Sequence, residues 1–204
     1  MTEFRSCRTA LLLLAIAVCL ASLAQAQQMY TDLEARVSGL PTIASRTHDP
    51  ADVLATSLDA ILHDHSVCCG RDSALEDSLA KADPQSLKDV AAKIQGRQLL
   101  SDGRPILVKA DFWPTESFDA LRMVNTLNDK RAVLMMWNSH LYVAYGVVYR
   151  WVEQSADSGP YTVVRRILLF DMRYSDSRRM VEYNRETDDP AKVEGFLTVT
   201  FAPQ

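Results

Sequence analysis

The sequence predicts an α+β domain in which N-terminal helices pack on a C-terminal, mostly antiparallel β-sheet. Three observations lead there. Apolar residues recur at helical spacing between Val53 and Ile94, and strand-like runs dominate from Ala132 onward. The two kinds of segment are segregated along the chain, which argues against a doubly wound parallel sheet. The 204 residues contain no repeat or low-complexity tract, and their number suits a single domain behind a short leader.

The leader comes first. Arg5 and Arg8 give a positive start, Leu11 to Leu20 is an unbroken apolar run, and Ala24-Gln25-Ala26 supplies a small-x-small cleavage pattern. Together these read as a secretory signal peptide over residues 1–26. The apolar run is shorter than the roughly 20 residues that a membrane-spanning helix needs. The mature chain is therefore expected to be exported, periplasmic or secreted, with no membrane attachment after cleavage. Residues 27–50 are polar and weakly patterned, and read as an arm or a loose helix. Residues 51–204 form the folded domain.

Within that domain, Asp49 or Asp52 is placed to cap a helix whose buried face is Val53, Leu54, Leu58, Ile61 and Leu62. A polar break follows from His63 to Ser66. A second helix is expected to begin near Cys69 and to carry Ala74, Leu75 and Leu79, with Asp72, Glu76 and Asp77 in its early turns, where carboxylates favour the helix dipole. Asp83-Pro84 is expected to start a third helix, through Leu87, Val90, Ala91 and Ile94, that Gly96 ends. Asp102-Gly103 marks a turn into a short strand, Pro105 to Val108. Thr115 or Ser117 is expected to cap a fourth helix through Leu121, Val124 and Leu127. Strands then follow over 132–137, 140–151, 161–170, 179–183 and 195–201.

Charge and cysteine content narrow the function. The net charge is −4 and no basic block occurs, so the chain carries no electrostatic footprint for nucleic acid. Cys7 and Cys19 leave with the leader, so the mature protein keeps only the adjacent pair Cys68 and Cys69. Exported domains that use cysteine structurally join distant segments. An adjacent pair closes almost no loop and so constrains almost nothing. Reactivity, metal binding or ordinary burial has to explain the pair.

A reactive cysteine needs a lowered pKa, which a helix N-terminus and a nearby imidazole provide. It also needs donors for the oxyanion that develops on the substrate carbonyl. Cys69-Gly70 lies where the second helix should begin, and Gly70 leaves room beside the sulfur. His140 stands alone at the head of a long strand, after Asn138-Ser139. The next long strand ends in Asp171. Antiparallel pairing of these two strands brings Asp171 next to His140, as the group that orients the imidazole. Cys69, His140 and Asp171 are thus the candidate catalytic residues.

These residues resemble a family. The helix-capping Cys69-Gly70, the Leu-x-Asp-Gly-Arg-Pro-Ile turn into a strand, Leu-Asn-Asp-Lys-Arg-Ala-Val-Leu and the strand His140-Leu-Tyr-Val-Ala-Tyr-Gly146 look like papain-like cysteine peptidases. The closest branch is that of the double-glycine leader peptidases of bacteriocin exporters. The resemblance covers roughly Asp52 to the C-terminus. It implies a papain-like fold, no cofactor, and a peptide or other amide-containing substrate cleaved through a cysteine thioester. That branch has a glutamine ahead of its cysteine, which helps to form the oxyanion hole. None occurs between Ala51 and Cys69 here, so His63, His65 or Ser66 has to serve, with His63 and Ser66 the main candidates. Arg71-Asp72 also replaces the small apolar residues usual after Cys-Gly.

Two other readings use the same residues. A papain-like fold that has lost catalysis would act as a binding module. Alternatively, His63, His65, Cys68 and Cys69 gather imidazole and thiol ligands within seven residues, a set suited to zinc or copper in an exported metal-binding or redox protein.

Overall fold

The computed structural model describes residues 31–40, 43–45, 47–64, 75–99, 104–152 and 160–203. Four α-helices and eight β-strands lie among them: β1 (Leu33–Arg36), α1 (Pro50–Asp64), α2 (Glu76–Leu79), α3 (Leu87–Ile94), β2 (Gly96–Leu99), β3 (Pro105–Pro114), α4 (Ala120–Asn128), β4 (Val133–Trp137), β5 (His140–Val152), β6 (Tyr161–Phe170), β7 (Met180–Asn184) and β8 (Val193–Pro203). The mixed helix and antiparallel-sheet class is as the sequence predicts. None of the described helices is long and apolar enough to cross a membrane.

The strands form one sheet in the order β2-β3-β8-β4-β5-β6-β7, and every pairing is antiparallel. β5 is the spine. β4 pairs with its first half, His140–Ala144, and β1 takes the same edge further along, from Gly146 to Tyr149. β5 is buried from Leu141 to Tyr149 because both faces of the sheet are covered there. On one face, Leu54, Leu58 and Ile61 of α1 and Leu87, Val90 and Ile94 of α3 pack on Leu134, Met136, Leu141, Val143 and Leu197. On the other, Met123, Val124 and Leu127 of α4 pack on Val133, Met135, Ala144 and Ile167.

Several elements differ from the sequence expectation. The stretch read as a polar arm or loose helix contains strand β1, with Ala35 and Val37 buried. Its alternation is only a few residues long, and what makes it a strand is the open edge of β5 beyond the end of β4. Helix α3 starts after Ser86, whose hydroxyl accepts the Asp89 N–H, instead of at Asp83-Pro84. Asp83 accepts the Gln85 N–H in a turn ahead of the helix. Helix α4 is capped by Asp119, which accepts the Arg122 N–H, instead of by Thr115 or Ser117. β3 runs to Pro114, well beyond Val108, because β8 is long enough to pair with it from Ile106 to Pro114. The start of the second helix at Cys69 lies outside the described residues. Leu75, where the described chain resumes, is fully buried.

Candidate functional site

His140 owes its position to a tight hairpin. Trp137 and His140 pair across β4 and β5, so Asn138 and Ser139 alone make the turn. Both have positive φ, 52° and 59°. That geometry matches the twist of the flanking strands. It is uncommon for residues other than glycine and costs roughly 1 kcal/mol at Ser139. The Asn138 N–H donates to the carbonyl of Lys192 at 2.9 Å, which ties the turn to the start of β8. His140 is left exposed at the end of the sheet.

A small cleft of about 30 Å³ opens there. His48, Pro50, Gln85, Ser139, His140 and Arg173 are among the residues that line it. Pro50 and Gln85 come from the helical layer, and Ser139 and His140 from the sheet. The cleft therefore lies where the two layers meet. His48 arrives on the chain that leaves β1, where the Ser45 N–H donates to the Met172 carbonyl at 2.7 Å, and its ring meets Tyr174 edge-on at 5.4 Å.

Asp171 immediately follows β6. The β5–β6 register pairs Val143 with Phe170, which puts Asp171 at the same end of the sheet as His140. Its side chain is turned to a different partner. Asp171 is 3% exposed, and its two carboxylate oxygens accept from Arg173 Nε at 2.8 Å and Nη2 at 2.6 Å. The Arg173 backbone N–H adds a third bond, at 3.0 Å. These bonds hold the Arg173 guanidinium above its ordinary pKa. Tyr142 lies under Arg173, 5.9 Å from ring centroid to guanidinium carbon, and burial pushes its phenol up, partly offset by Arg173. Among the described residues none makes a hydrogen bond to the His140 imidazole. No hydrogen bond joins His140 and Asp171 among the described residues; Asp171 pairs with Arg173, which reaches the cleft. The reason is local: Arg173 is two residues from Asp171 and its planar fork matches a carboxylate in both charge and geometry.

Of the remaining candidates, His63 falls in the last turn of α1, while His65, Ser66, Cys68 and Cys69 lie outside the described residues. Helix α1 begins at the cleft and has 15 residues, so its axis carries the chain roughly 22 Å away by Asp64. Among the described residues no group of three or more His, Cys, Asp or Glu is arranged to hold a metal. A wider groove of about 750 Å³ lies on the α4 side, bordered by Leu121, Trp151, Tyr161 and Arg185, and its described lining has no histidine or cysteine.

Arg173 and His48 are the site residues that sequence reasoning missed. Arg173 was detectable only as a cation within two residues of the strand-end aspartate. His48 had no motif around it. No family model matches the chain, and no curated protein matches it.

Proposed function

We propose that the chain is an exported, papain-like thiol hydrolase that cleaves an amide bond through a thioester on Cys69. The observation that carries this reading is His140, presented on a strained two-residue turn at the mouth of a cleft between the helical layer and the sheet. In this reading the Cys69 sulfur, as thiolate, adds to the carbonyl carbon of the amide. When the C–N bond breaks, His140 returns a proton to the leaving amine. Water then attacks the thioester, His140 takes its proton, and the carboxylate product and the thiol are released. The Cys69 backbone N–H, with a donor from His63 or Ser66, holds the oxyanion. Asp171 holds Arg173 at the cleft.

The test is alkylation of the reduced mature protein by iodoacetamide across a pH series, with Cys68 and Cys69 quantified separately by mass spectrometry. Cys69 should react faster than Cys68 and well below the ordinary thiol range. His140→Ala should slow that reaction sharply at neutral pH. Equal labelling of the two cysteines, unaffected by His140→Ala, would rule the enzyme out.

One observation favours a second reading, the non-catalytic binding module. The Asp171 carboxylate is occupied by Arg173, so no described carboxylate orients His140. A binding module retains the cleft but leaves Cys69 an ordinary thiol.

A further inference from the structure

We propose that the His140 cleft binds a carboxylate, held by Arg173, so that its ligand is an N-acylated amino acid or the free C-terminus of a peptide. The inference rests on the cleft and on the amide-substrate reading above, and not on catalysis itself.

The chain carries a net charge of −4, yet the described lining of the cleft includes no aspartate or glutamate and brings together Arg173, His48 and His140. The nearest acids at the start of α1 are engaged elsewhere: Asp49 accepts the Ala51 N–H, and Asp52 accepts both the N–H and the hydroxyl of Thr47. Asp171 sits behind Arg173, almost fully buried, and fixes the guanidinium from its Nε and Nη2 side. The guanidinium has five N–H donors in a rigid fork, and Asp171 takes two of them. A preorganised arginine loses little entropy on meeting a second carboxylate.

The experiment follows the His140 ring resonances of the mature protein by NMR at constant ionic strength. The probes are N-acetylglycine and N-acetylglycinamide, which differ only in the carboxylate. N-acetylglycine should give a saturable shift, and the amide should bind at least tenfold more weakly. The double variant Asp171→Asn/Arg173→Gln removes the guanidinium without stranding a buried carboxylate, and should abolish the preference. No saturable shift, equal shifts from the two probes, or a preference that survives in the double variant would overturn the proposal. If the double variant does not fold, the wild-type comparison of the two probes decides alone. A carboxylate preference with an unreactive Cys69 keeps this site and rejects the hydrolase. A reactive Cys69 without the preference does the reverse.

Discussion

Asp171 is the most constrained polar side chain near the cleft. It is a buried carboxylate whose bonds all run to one arginine, with side-chain exposures of 4% for Asp171 and 18% for Arg173. Arg173→Ala leaves that carboxylate buried without its partner and should cost about 3 kcal/mol, measured by urea unfolding. Asp171→Asn/Arg173→Gln should cost clearly less, because neither charge is left stranded. Equal losses would show that packing, not charge, sets the value of the pair. At this scale the sequence revealed positions better than partners. Asn138-Ser139 announced a turn that would present His140, and Asp171 was legible as a strand end beside it. The Arg173 pairing was not, because a strand-end aspartate has several cations within reach, and the choice among them depends on backbone geometry after the strand.

At the scale of elements, the hairpin before His140 stores strain at a defined place. Ser139 holds φ of 59°, so Ser139→Gly should raise stability by about 0.5–1 kcal/mol and raise the melting temperature accordingly. A fall in stability would mean that the serine side chain contributes more than its backbone costs. The helices were legible where their apolar stripe was regular, as in α1 and α3, whose expected core positions are buried. Strand β5 was harder to read in detail. The β5–β6 register shifts between Ala144 and Gly146, so the alternation of Leu141 to Val143 does not continue unchanged. Tyr145, at that shift, stacks on Phe170 at 3.9 Å in a third small cluster, while Tyr142 and Ala144 belong to the α4 face. A bulge leaves no mark in hydrophobic periodicity. Strand β1 was hidden for a related reason: four residues become a strand only because β5 extends past β4.

For the molecule as a whole, three buried tyrosines set an alkaline limit. Burial pushes the phenols of Tyr142, Tyr145 and Tyr183 up. In the unfolded chain they ionise near 10, whereas the folded protein retains their protons to higher pH. Their stabilising contribution is complete below about pH 10 and is lost as pH rises through the folded values. Melting temperature should therefore drop steeply above about pH 10, and Tyr183→Phe should make that drop shallower; an unchanged profile would place the alkaline limit elsewhere. The proposed hydrolase requires the helical half to deliver Cys69 to His140, although α1 starts at the cleft and leads away from it. The Cys69 Sγ to His140 imidazole distance in a crystal structure of the reduced mature protein tests this most directly. A working thiol–imidazole pair gives about 4 Å, within reach of proton transfer, and a separation above about 8 Å with packed core between rules the hydrolase out.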